Sequence, residues 1–261
     1  MPDRGPLGEF LAGGHVDAAV FALRPDYRVL LVAVDGLVPG PGDGAGDALL
    51  RAAEAAAVEA LRGRPVEQLP HVAAWRDAYR AFGAKPQRTR NSLEALLRRA
   101  ASSGLPRVNR LTDLYNAVSV RHQIPLGGED LTRYTGAPRL VRATGQEPFD
   151  TVSNGAAVIE HPEPGEVVWR DDAGVTCRRW NWRQARRTRL REDTTAALFI
   201  LDALGPITGE ALAAAADDLI AQLTRLGPGV RAARRLIAAA PAPAPAPAPA
   251  EGDRESSRAR P

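Results

Sequence analysis

Between residues 47 and 201 the apolar residues of this chain change period once, at Pro125. Before it they recur at helical spacing; after it they fall into short runs broken by Gly, Pro and Asn-Gly. Residues 47–62 carry Leu49, Leu50, Ala53, Ala57 and Leu61 on one helical face, and Gly63 with Pro65 stops the helix. A second helix is expected over 72–82, ended by Gly83. A third starts at Asn91, whose side chain can cap while Glu94 completes a capping box, with Leu93, Leu96, Leu97 and Ala100 as its apolar face. A fourth runs from about Asn109 through Leu111, Leu114, Tyr115 and Val118 to Arg121. Beyond Pro125, residues 139–143, 156–160, 166–170, 175–182 and 196–201 read as strands. Helices followed by strands make the expected class α+β.

The two ends frame this body. Residues 18–35, apolar on both sides of Arg24-Pro25-Asp26-Tyr27, read as a β-hairpin. The Gly/Pro stretch 39–46 lacks a Walker lysine and the dinucleotide spacing, and reads as a loop. Residues 209–226 form an amphipathic helix with Leu212, Ala216, Leu219, Ile220 and Leu223 on one side. From 241 to 250 the chain is a Pro-Ala repeat, followed by a polar end; without an apolar face it is expected to be an extended, solvated tail. The layout expected is therefore 1–70 hairpin and helix packed on the core, 71–205 core, 206–240 C-terminal helix and 241–261 disordered tail.

With 261 residues, 44% of them hydrophobic, the chain can build a proper core. It contains no run of about 18 uncharged apolar residues and no secretory leader pattern, so a cytoplasmic protein with no membrane partner is expected. Cys177 is the single cysteine, and His15, His71, His122 and His161 have no metal-ligand spacing with it, so no metal and no cofactor are expected. The net charge is only +3, and Lys85 is the one lysine among 34 basic residues. Within 175–191 stand Arg178, Arg179, Arg183, Arg186, Arg187, Arg189 and Arg191 with no acid, and Trp180 and Trp182 among them. Guanidinium forks match phosphates and indoles stack on bases, so a polyanionic partner is expected.

The blocks WRDAYRAFGAKPQRTRNSLEALLRR, LPRVNRLTDLYNAVSV, IPLGGEDL leading to LVRATGQEPF, and GEVVWRDDAGVTCRRWNWRQARRT arrive in one order between residues 75 and 188. Together they resemble the freestanding B3/B4-domain proteins, which are similar to the tRNA-editing domain of the phenylalanyl-tRNA synthetase β subunit. RRWNWRQ is the most distinctive block. The resemblance implies a β-rich α+β core, a tRNA acceptor end as partner, and hydrolysis of the ester of a mischarged aminoacyl-tRNA. It does not imply a synthetase. The synthetase pattern usually has a histidine between the proline and aspartate of 125–130, and Gly127 stands there.

An aminoacyl ester is already activated, so its hydrolysis needs chiefly a positioned water and a polarised carbonyl, with no cofactor. Within the matching blocks the catalytic candidates are Asn116, Asp130, Asn181 and Thr188. Ser119, Glu129, Glu147, Arg183 and Gln184 are candidates for substrate binding, and Arg178, Arg179, Arg186, Arg187 and Arg189 for RNA binding. If 175–182 is a regular strand, Trp180 and Trp182 share one face while Asn181 and Arg183 share the other. Carboxylates at Glu129 and Asp130 beside Gly127 and Gly128 point to a cationic or polar side chain on the expelled amino acid. Ser153 and His122 lack the setting of a nucleophile–base pair. Two other readings stay open: a non-catalytic RNA-binding module, for which the missing histidine speaks, and a binding scaffold whose arginines are compositional.

Overall fold

The computed structural model describes residues 5–240. The chain opens with α1 (Gly5–Ala12), β1 (His15–Val16), α2 (Ala18–Leu23) and β2 (Arg28–Asp35). The helical section follows as α3 (Gly44–Leu61), a 3-10 turn Val66–Gln68, α4 (Pro70–Ala81), α5 (Ser92–Ala100) and α6 (Arg110–His122). Then come β3 (Leu126–Asp130), a 3-10 turn Leu131–Arg133, β4 (Arg139–Arg142), β5 (Phe149–Ser153) and β6 (Ala156–Glu160). The chain continues through β7 (Val167–Asp171), β8 (Gly174–Arg178), β9 (Arg183–Gln184) and β10 (Ala197–Ala203), and the last elements are α7 (Gly209–Thr224) and β11 (Arg231–Ala238). The fold is α+β. Among the described residues no helix is long and apolar enough to cross a membrane. The Pro-Ala tail lies outside them.

Two sheets organise the molecule. One is antiparallel with order β11-β2-β10-β3; the other has order β1-β4-β7-β8-β9, parallel only between β1 and β4. One face of the first sheet, through Leu30, Val32, Phe199 and Leu201, packs on α6 and α7. The opposite face, through Val29, Leu31, Leu198 and Ile200, packs on α4 and on Leu140, Val167 and Trp169 of the second sheet. β2 and β10 are thus covered on both sides, which is why VLLVAV and ALFIL are continuous apolar runs rather than alternating ones.

That burial corrects the expected hairpin at 18–35. β2 pairs with β10 and β11 along its two edges, so no ladder position is left for residues 18–23. They satisfy their backbone internally as α2 and place Val20 in the core. A second correction concerns the segment after α7. β11 was not visible in the sequence because RAARRLIA has a half-exposed, arginine-rich pattern; it is held by register with β2, from Arg231 opposite Asp35 to Ala238 opposite Arg28.

The helix caps set up the site. Asn91 Oδ1 accepts from Glu94 N at 2.9 Å and Asn109 Oδ1 from Thr112 N at 2.9 Å. Glu94 is fully buried, and its carboxylate is engaged by Arg76 at 2.9 Å and by Arg98 at 3.2 Å. Ser92 N donates to Asn181 O at 3.1 Å, which docks the start of α5 on the turn that follows β8.

Candidate functional site

The expected long strand over 175–182 is broken, and the break shapes the site. Arg179 and Trp180 both take left-handed backbone angles, with φ of 47° and 67°. Trp182 N then returns to Arg178 O at 3.1 Å, and β9 pairs back on β8 with Cys177 opposite Gln184. The reversal drives Trp180 into the core, edge-on to Tyr27 at 5.0 Å and to Trp75 at 5.3 Å. The two tryptophans therefore do not share a strand face. Trp182 is half-buried, with the Arg179 guanidinium 4.5 Å above its ring.

Between this turn, α5, α6 and the first sheet lies a cavity of about 250 Å³. Tyr115, Leu126, Trp169 and Ile200 give it apolar walls, while Asn116, Glu129, Asn181, Gln184 and Asp202 supply polar groups. Such a mixture, mostly apolar with a few convergent polar groups, is typical of ligand sites. Gly127 lines it too, and a Cβ there would come within 3.0 Å of the Gln184 amide. Gln184 Nε2 donates to Gly128 O at 2.9 Å, so the side chain is held across the cavity floor.

Two carboxyls face this space from buried positions. Burial pushes Glu129 up to about 7, partly offset by the hydroxyls of Tyr134, which donates to its Oε2, and of Thr176, and among the described residues no well-formed hydrogen bond reaches Glu129 Oε1. Burial also pushes Asp202 up to about 7, partly offset by Tyr27 OH, which donates at 2.6 Å, and Asn181 Nδ2, at 3.2 Å. Asn181 Oδ1 in turn accepts from Tyr79 OH at 2.9 Å, so this amide is bonded at both ends within the core. Burial raises Cys177, which also lines the cavity, well above the usual thiol range.

Of the candidates read from the sequence, Asn116, Glu129, Asn181 and Gln184 meet at the cavity, and the others do not line it. Asp130 caps the 3-10 turn, accepting from Thr132 N at 3.0 Å and from Thr194 Oγ1 at 3.0 Å. Ser119 Oγ donates to Ile124 O at 2.7 Å, and Glu147 accepts from Thr144 N at 2.9 Å and Gly145 N at 3.1 Å. Thr188 is buried, its carbonyl accepting from Asp130 N at 2.7 Å, and Arg183 reaches Thr151 and the Phe149 ring instead. Asp202 was missed by the sequence reading; the available signal was an acid inside the apolar run of β10.

The arginine run is acid-free in sequence but not in space. Arg178 is buried against Glu166 at 2.8 Å and Glu160 at 3.1 Å, which leaves its guanidinium no open face for a phosphate. Arg179 lies 3.5 Å from Glu166 and donates to Thr89 at 2.6 Å. Arg187 forks onto Asp171 at 2.7 and 2.9 Å, and Arg186 meets Asp150 at 3.1 Å. Arg189 is exposed, with no side-chain partner among the described residues. Two grooves flank the cavity: one lined by Arg189, Arg191, Glu192, Asn109 and Thr112, the other by Arg88, Arg90, Arg98, Arg99 and Trp182.

A family model described as the B3/4 domain matches residues 74–221, more than half of the chain. The chain belongs to the B3/4 domain family. The B3/4 match contains every residue that lines the cavity and both grooves. No curated protein sequence matches the chain. Among solved structures it is similar to an N-terminal fragment of the phenylalanyl-tRNA synthetase beta-subunit from Pyrococcus horikoshii, at 12% identity and a TM-score of 0.41. That likeness covers 84% of this chain and 49% of the fragment, so the chain spans about half the fragment's length.

Proposed function

We propose that this B3/4 protein binds the acceptor end of a tRNA and hydrolyses the ester of a mischarged aminoacyl group held in the cavity. The observation that carries the reading is the juxtaposition of Glu129, Asn116 and Gln184 in one largely apolar pocket. The motif resemblance to the editing domain supports the choice of substrate. Glu129 is the group suited to activate water. Burial raises its carboxyl to about 7, where a general base is most effective, and among the described residues no well-formed hydrogen bond occupies its Oε1. In the proposed step Glu129 takes a proton from water as the oxygen adds to the ester carbonyl. The tetrahedral adduct then expels the ribose oxygen, which receives that proton. Asn116 and Gln184 orient the acyl group, and Asn181 and Asp202 hold the wall. Of the two carboxylates expected to favour a polar or cationic expelled side chain, only Glu129 reaches the cavity, so it alone would carry that preference.

The test is deacylation of a broad panel of mischarged tRNAs by the purified protein. Glu129→Gln should slow the reaction by at least about a hundredfold while tRNA binding persists, and EDTA should leave it unchanged. If no panel member is deacylated faster than in buffer, the catalytic reading fails. A non-catalytic RNA-binding module then takes its place, favoured by Gly127 at the family histidine position and by the Asn181 amide, bonded at both ends to core residues.

A further inference from the structure

Four arginines line the groove beside α5. It is lined by Arg88, Arg90, Ala95, Arg98, Arg99 and Trp182, with no acid among the lining residues. Glu94 lies buried beneath, engaged by Arg76 and Arg98, with Arg90 3.7 Å away. Arg88 and Arg99 are exposed, and neither has an ion-pair partner among the described residues. The groove on the other side of the cavity contains Glu192, and Arg178, Arg186 and Arg187 are neutralised by Glu166, Asp150 and Asp171. Arg98 also meets Glu67, so on this side of the cavity Arg88 and Arg99 carry the unpaired charge, while on the other side Arg189 shares its groove with Glu192.

We infer that this groove is the docking surface for the single-stranded 3′ end of an RNA, with Arg88, Arg90 and Arg99 on phosphates and Trp182 under a base. The inference rests on the proposed function and gives it a path. Groove and cavity share Ala95, Arg99 and Trp182, so a strand lying along the arginines runs into the cavity by its terminus. A guanidinium pairs with a phosphate through two parallel hydrogen bonds, which suits a backbone carrying one charge per nucleotide. The guanidinium of Arg179 lies 4.5 Å and that of Arg183 5.7 Å from the half-buried Trp182 ring. An indole face is a stacking platform that tolerates any base. The surface differs from the sequence expectation, which placed RNA on Arg178, Arg179, Arg186, Arg187 and Arg189.

The experiment titrates the full chain with a fluorescent single-stranded RNA of tRNA 3′-end sequence and with whole tRNA, at several salt concentrations. Arg88→Ala with Arg99→Ala is compared with Arg231→Ala with Arg234→Ala, which removes the same charge from exposed positions on β11. The first pair should weaken both RNAs by at least about fivefold and flatten the log–log salt slope by about 1.4, while the second leaves the slope nearly unchanged. Trp182→Leu should weaken the single strand with its slope preserved, and the thermal midpoint of each variant reports its folding. If whole tRNA binds but the two pairs behave alike, the surface is wrong and the proposed function survives. If wild type binds neither RNA, the proposed function itself fails. Polyglutamate binding as tightly as the single strand, unaffected by Trp182→Leu, would overturn the assignment to a base-bearing ligand.

Discussion

Asp202 stands in the middle of the molecule, on a strand covered on both faces, with Tyr27 and Asn181 donating to its two oxygens. Burial holds its carboxyl at about 7, well above 3.8, and Glu129 follows the same pattern from 4.5. A carboxyl raised on folding stabilises the fold below its unfolded value, and that contribution is lost as pH rises through the folded value. The thermal midpoint of wild type should therefore fall behind that of Asp202→Asn from pH 4 to about pH 7 and level off above it. A difference that stays constant with pH would contradict the raised value. His71 has the opposite sign. Its Nε2 accepts from Trp75 Nε1 at 3.0 Å and from Leu204 N at 3.1 Å, and burial lowers it from 6.5 to about 4. Its contribution is present above about 6.5 and is lost as pH falls towards 4, an acid-side loss of about 3 kcal/mol. His71→Gln should flatten the stability curve across that window in urea titrations.

At the level of elements, the reversal after β8 is held by what it buries more than by its own backbone. Two consecutive residues with positive φ are costly, and Trp180, fully buried among Tyr27, Trp75 and Phe82, is what compensates. Trp180→Ala should cost about 3–5 kcal/mol of stability and disorder the approach to β9, read by denaturation and by loss of binding together. The two glycines of β3 should behave differently from each other. A Cβ on Gly128 would lie 2.7 Å from Leu190, 2.9 Å from Phe199 and 3.0 Å from Tyr115, so Gly128→Ala should cost about 1–3 kcal/mol by overpacking. A Cβ on Gly127 meets only the side-chain amide of Gln184, so Gly127→Ala should keep the fold and shift that amide within the cavity. Thermal melts of both variants, with deacylation assays of the second, check this contrast.

Across the whole molecule the first and last described elements, α1 and β11, meet. β2 lies between β10 and β11, and Arg235 on β11 donates from one Nη1 to the carbonyls of Leu11 at 2.6 Å, Ala12 at 2.8 Å and Gly14 at 2.7 Å. Those carbonyls close the C-terminal end of α1, where helix acceptors need outside partners. Arg235→Ala should cost about 1.5–3 kcal/mol and make residues 5–17 the first site of limited proteolysis. Cleavage that begins elsewhere would show that the contact does not tie the ends together.

The α3, α4, α5, α6 and α7 helices were legible because apolar spacing, Asn91 as cap and Gly as stop act within a few residues. The α+β class was legible for the same reason, as were β4, β6, β7 and β10 as apolar runs. Four of the five polar groups described at the cavity, Asn116, Glu129, Asn181 and Gln184, could also be named from the sequence, although the cavity itself could not. Tertiary structure alone decided which strands pair, and therefore that residues 18–23 coil into α2 and residues 231–238 extend as β11. It also decided that Arg178, Arg186 and Arg187, acid-free along the chain, meet Glu166, Asp150 and Asp171 across it. Helix signals act within a few residues of chain, whereas ladder partners and these ion pairs join residues brought together only when the sheets close.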